Sequence, residues 1–203
     1  MTTTLTGHIP ILDGTYEITI QDKTIVSLTP SNQPTDLCIG PTLFDIQVNG
    51  YGGRTCRIAS PDKRDALAYI TQLLRENGIG WWLPTITTAS AAALEAAFKG
   101  CAQALDADAD TAASIPGLHL EGPYISPLEG PRGAHTLEHV RPPDWEEFCR
   151  LQELSGGRIR LVTIAPEEEG SESFIKNCVQ SGVVVAMGWA DENRGFEDVF
   201  SPC

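Results

Sequence analysis

Short apolar runs alternate with helix-spaced segments along most of this chain. LFDIQV (43–48) is the first run. It is followed by DALAYITQLLRENG (65–78), in which Leu67, Ile70, Leu73 and Leu74 recur at helical spacing and Gly78 supplies a stop. GWWLPTITT (80–88) and an Ala-rich helix over 91–105 come next, then the strand-like GLHLEGPYI (117–125). A helix over 144–154, capped by Asp144, leads to RLVTIAPE (160–167), and a helix around 173–181 leads to GVVVAMG (182–188). The Ala/Asp-rich piece 102–113 reads as a helix end and loop. The first forty residues read as β-structure instead. YEITI (16–20) alternates with a period of two, TIVSL (24–28) follows a polar turn at Gln21, Asp22 and Lys23, and SNQPTD (31–36) is a loop by composition.

Strands alternating with helices predict a parallel sheet built from βαβ units, and nearly continuous apolar strands fit a sheet covered on both faces. A doubly wound sheet and a barrel both satisfy this periodicity. Polar groups at several strand ends favour the barrel: Gln47 and Asn49, Thr87 and Thr88, Glu121, and Glu167. In barrels, reactive groups gather at the C-terminal ends of many different strands, and a complete barrel takes about 250 residues. The expected architecture is therefore α/β. An N-terminal β segment, part of a small β-sandwich, covers 1–40. A partial TIM-like (β/α)8 barrel, with about five of eight strands, covers 41–203, and its tail over 189–203 is atypical.

Composition narrows the function classes. The chain has 203 residues, 41% of them hydrophobic, and a formal net charge of −13. That charge disfavours nucleic acid and anionic membrane surfaces, which are held by clustered Lys and Arg. A small anionic substrate remains compatible, because a local Arg or a helix N-terminus serves one inside an acidic protein. The six cysteines, Cys38, Cys56, Cys101, Cys149, Cys178 and Cys203, form no CxxC pair and are expected to be small buried hydrophobes in a reducing compartment. No run of about 20 apolar residues is present. The N-terminus lacks a basic start followed by an apolar run, so the expected location is cytoplasmic.

The segment GLHLEGPYISPLEGPRGAHT (117–136) carries the most chemistry. Glu121 stands where an apolar strand gives way to Gly122 and Pro123, a setting suited to a metal ligand or general base. Taken alone it reads as an ordinary exposed loop glutamate, and only the surrounding motif points to chemistry. His119 lies two residues earlier on the same face and reads as a core histidine. His8 and His139 carry no motif.

HLEGP resembles the third-strand signature of the N-acetylglucosamine-6-phosphate deacetylase family within the amidohydrolase superfamily. PTLFDIQVNGYGG (41–53), LPTITT (83–88), PRGAH (131–135), VTIAPE (162–167) and GVVVAMG resemble that family's further motifs in the same order. The resemblance covers about residues 38–188. It implies a metal-dependent amide hydrolase acting on a small amino sugar phosphate, in which N-acetylglucosamine 6-phosphate gives glucosamine 6-phosphate and acetate. It implies Glu121 as metal ligand, Gln47 touching the metal through water, and His135 contacting substrate and polarising the amide carbonyl. The implied cofactor is one divalent metal, zinc first, with iron, manganese or cobalt as alternatives. Full-length members of the family form homodimers.

The resemblance stops at Gly188. The family places a histidine ligand at the next position, where this chain has Trp189, and an indole offers only an N–H donor. The family's catalytic aspartate has no counterpart among the matched motifs. A truncated chain with little or no activity by itself is therefore expected. The alternatives are a catalytically dead paralogue that binds sugar phosphate, a dihydroorotase-like or deaminase-like amidohydrolase, and a doubly wound sugar-phosphate binder.

Overall fold

Three strands, β1 (Thr2–Ile9), β2 (Gly14–Gln21) and β3 (Thr24–Pro30), form an antiparallel sheet in that order. Asp22 and Lys23 turn the chain between β2 and β3 with φ of 49° and 67°. This is the left-handed pair of a two-residue hairpin whose twist matches the flanking strands. The computed structural model describes residues 1–58 and 65–191. It divides the chain into two compact units, Met1–Thr42, which contains this sheet, and Leu43–Cys203.

In the second unit β4 (Leu43–Val48) is followed by a small antiparallel pair, β5 (Gly50–Tyr51) and β6 (Arg54–Thr55). Then come α1 (Ala66–Glu76), β7 (Ile79–Thr87), α2 (Ala91–Ala107), α3 (Ala109–Ala112) and β8 (Leu118–Glu121). The described part closes with α4 (Trp145–Leu154), β9 (Ile159–Ile164), α5 (Ser171–Gln180) and β10 (Val184–Met187). The five longer strands form one sheet in the order β10-β9-β8-β7-β4, and every neighbouring pair is parallel.

That order removes the ambiguity left by periodicity. A doubly wound sheet reverses direction at a switch point. Here each crossover steps one place in the same direction, and right-handed crossovers that never reverse put every helix on one face. The core agrees: Leu67, Ile70, Leu94, Phe98, Phe148 and Phe174 from the helices cluster with Trp82, Ile86, Leu118, Leu120, Val162 and Ile164 from the strands. The architecture is a partial (β/α) barrel of five strands.

Several elements differ in detail from expectation. β8 ends at Glu121 rather than at Ile125, because Gly122 turns away with φ of +72°. The stretch read as a helix end and loop holds the end of α2 and the short α3, whose N-cap Asp108 accepts from the amides of Asp110 and Thr111. Cys56, Cys101 and Cys178 are buried as expected. Cys38 and Cys149 are exposed, since neither lies on a face that packs into a core. Cys203 and all of the atypical tail beyond Asp191 lie outside the described residues. Among the described residues, no helix is long and apolar enough to cross a membrane.

Candidate functional site

Strand register sets up the site. Thr87 pairs with Glu121, and Glu121 pairs with Thr163, so the C-terminal ends of β7, β8 and β9 lie level. Leu118 and Leu120 face the helices, and alternation sends His119 and Glu121 to the opposite face. Glu121 is only 3% exposed. Its Oε1 accepts from Gln47 Nε2 at 2.7 Å and from Trp189 Nε1 at 3.0 Å, and its Oε2 accepts from Asn49 Nδ2 at 3.2 Å. An ionised carboxylate is an acceptor only, so both amides must turn their N–H groups toward it.

Local structure aims each partner. Asp45 Oδ1 accepts from the Gln47 amide at 3.0 Å near the end of β4. The β5–β6 turn closes onto Asn49 through the Cys56 amide at 2.9 Å. After β8, a Gly122–Pro123 cis peptide carries the chain into a loop that is pinned in two places. Arg132 donates to the carbonyls of Pro127 at 2.9 Å and His135 at 3.1 Å. Arg141 makes a two-pronged ion pair with Glu147, at 2.6 and 3.0 Å, and Glu147 also accepts from the Tyr124 hydroxyl at 3.0 Å.

The pinned loop brings His135 beside Glu121. Its Nδ1 lies 2.8 Å from Thr88 Oγ1, and burial holds its pKa below the ordinary histidine value against the opposing pull of the Glu121 charge. Trp189, just after β10, is edge-on to His135 with ring centroids 4.7 Å apart. His119 sits behind this group. Its Nδ1 is 3.1 Å from Thr85 Oγ1 and its Nε2 2.7 Å from Thr163 Oγ1, and burial pushes its pKa down to about 4.

These groups open onto a cavity of about 630 Å³. Gln47, Asn49, Glu121 and His135 all line it, together with Arg57, His139 and Trp189. The sequence offered no signal for Arg57 or His139. Arg57 follows an irregular hairpin and donates to Thr87 Oγ1 at 2.9 Å. His139 arrives through the path of the loop.

The donor set does not fit a divalent cation by itself. Among the described residues no three His, Cys, Asp or Glu side chains come together. Glu121 is engaged by three N–H groups, the adjacent amides present hydrogen rather than oxygen, and an indole has no acceptor lone pair to offer.

No protein-family model matches the chain. It is 33% identical over 192 residues to the N-acetylgalactosamine-6-phosphate deacetylase of Escherichia coli O157:H7, covering 90% of this chain and 49% of that protein. It is 29% identical over 188 residues to the N-acetylglucosamine-6-phosphate deacetylase of Bacillus subtilis (strain 168), covering 91% and 46%. The crystal structure of N-acetyl-D-glucosamine-6-phosphate deacetylase from Mycobacterium smegmatis superposes with a TM-score of 0.78 at 29% identity, covering 93% of this chain and 50% of that one. A structure of a mutant of that enzyme in complex with N-acetyl-D-glucosamine-6-phosphate superposes with a TM-score of 0.74 at 28% identity, covering 87% and 45%. The chain thus spans about half the length of the relatives it matches. These relatives hydrolyse an amide carbon–nitrogen bond, and in both sequence and fold the chain resembles the N-terminal portion of the N-acetylglucosamine-6-phosphate deacetylases.

Proposed function

We propose that this chain forms the N-terminal wall of an amino-sugar-phosphate deacetylase site, and that by itself it binds an N-acetylated hexosamine 6-phosphate without hydrolysing it. The carrying observation is the cavity at the strand ends, with Glu121 fixed by Gln47 and Asn49 and with His135 alongside. His135 is suited to the acetamido carbonyl. Thr88 engages its Nδ1, and when the threonine hydroxyl is the donor the neutral ring carries its proton on Nε2, free to donate to a carbonyl oxygen. Burial favours that neutral form. Arg57 supplies a cation for an anionic ligand within an acidic chain.

A divalent metal, with zinc as first choice, would supply a nucleophilic hydroxide in a complete enzyme. The family resemblance puts Glu121 at the ligand position for it, with Gln47 acting through water, but in this chain the N–H groups of Gln47, Asn49 and Trp189 occupy that carboxylate. The described donors do not hold such an ion unaided, and the reading therefore assigns the chain binding and orientation. The relatives' names divide between glucosamine and galactosamine forms, so the class is N-acetylhexosamine 6-phosphate.

Calorimetric titration of the purified chain with both sugar phosphates, paired with an acetate-release assay, tests the reading. Saturable binding that weakens about 10-fold or more for His135→Ala, a loss of about 1.4 kcal/mol, with no acetate released, supports it. Failure of either sugar to bind refutes the binding role. Turnover that disappears on Glu121→Gln refutes the claim of silence.

A further inference from the structure

Both oxygens of Glu121 are engaged by protein N–H groups. Three neutral N–H groups converge on two carboxylate oxygens at a position only 3% exposed, so its acceptor sites are already taken by hydrogen-bond donors. The indole is the unusual member of the set, because it arrives from a different strand end and is itself fixed on several sides. Its backbone carbonyl accepts from the Ser126 amide at 3.0 Å, on the loop that follows β8. Its ring stands edge-on to His135. The same loop gives way to it at Gly133, where a Cβ would lie 2.4 Å from the ring. Trp189 adopts φ of +56°, a left-handed conformation uncommon for a bulky residue, and these contacts hold it there.

We infer that Trp189 stands in for a divalent cation at Glu121 and keeps this carboxylate metal-free. The inference rests on reading the cavity as the counterpart of a deacetylase site. For a metal to reach Oε1, the indole must leave that oxygen, and nothing on its own side chain replaces it as a ligand. Glu121 is thereby a carboxylate already taken up by neutral donors, and the cavity around it is unsuited to capturing a divalent cation.

The test uses the full chain and zinc alone. The expected result has three parts. The Trp189 indole N–H resonance, assigned by its loss in Trp189→Phe, does not move when stoichiometric zinc is added. Zinc affinity, measured by competition with a chromophoric chelator, is the same for wild type and Glu121→Gln. Trp189→His, which removes the indole and supplies an imidazole at the same place, gains zinc affinity by about 10-fold or more, and Glu121→Gln in that background abolishes the gain. A zinc-dependent shift of the wild-type indole resonance that vanishes in Glu121→Gln overturns the inference, even if Trp189→His fails to fold. A folded Trp189→His chain that gains nothing overturns it as well. If zinc behaves as expected and sugar phosphate does not bind, the functional reading falls and the inference about Trp189 stands.

Discussion

Gln47 Nε2 donates to Glu121 Oε1 at 2.7 Å although β7 lies between their two strands. Adjacent strands are about 4.8 Å apart, so β4 and β8 are separated by about 10 Å across the sheet. Two long side chains meet over that gap when they stand on the same face and the sheet curls toward it, which is the curvature of a barrel wall. The same contact places a carboxamide and a carboxylate together at the mouth of the sheet, and it makes Glu121 the centre of the site.

Replacing Glu121 by Gln turns a pure acceptor into a group with an N–H2 end. One of the neighbouring carboxamides must then flip to present its oxygen, or a donor meets another donor beside a buried side chain. The expected loss is about 1–3 kcal/mol of folding stability, read from urea unfolding at neutral pH. An unchanged midpoint would show that these hydrogen bonds contribute nothing to the fold.

Gly122→Ala carries two penalties. The residue sits at φ of +72°, and a Cβ would fall 2.2 Å from Thr88 Oγ1. The backbone strain alone costs about 1–3 kcal/mol, and Thr88 must shift away from His135. Thermal denaturation should show the lower stability. Binding of N-acetylhexosamine phosphate should weaken in the same variant, even at temperatures where it remains folded.

His119 gives the stability a pH dependence. Its folded pKa is pushed down to about 4 by burial, from an ordinary value of 6.5, so the unfolded chain binds a proton that the folded chain refuses. The stability this histidine contributes is complete above pH 6.5 and is lost as the pH falls from there toward 4. At pH 5 the loss is on the order of 1–2 kcal/mol. Unfolding midpoints at neutral and mildly acid pH should separate in wild type and draw closer in His119→Gln. Equal separation in both would assign the effect to other groups.

Asp144 holds the start of α4 by accepting from the amides of Glu146 at 2.8 Å and Glu147 at 3.0 Å. Asp144→Ala should cost about 1 kcal/mol, and Asp144→Asn should restore most of it. Comparing the two variants by thermal melting separates the cap from any general effect of charge.

The sequence by itself determined the order and type of the main elements. Hydrophobic periodicity is local, and the runs containing Val48, Ile86, Val162 and Val185 are long enough to show it. It also marked Asp144 as a cap and Glu121 as the carboxylate at a strand end. It did not show β5 and β6, which at two residues each are shorter than one period, nor the break of β8 at Gly122. Periodicity alone left sheet order open, because the direction each crossover steps is set by how the helices pack; the polar residues at several strand ends favoured the barrel that the order shows. The site shows the limit most clearly. Trp189 stood out in the sequence only as a residue where histidine was expected. Its bond to Glu121, 68 positions away, exists because β8 and β10 flank β9 and end within one residue of each other along it, and the loop after β8 leaves room at Gly133. Arg57 and His139 entered the cavity through loop paths that no periodicity encodes. Local pattern fixes which segments become strands and helices, whereas contacts between distant strand ends depend on register and packing that exist only once the chain has folded.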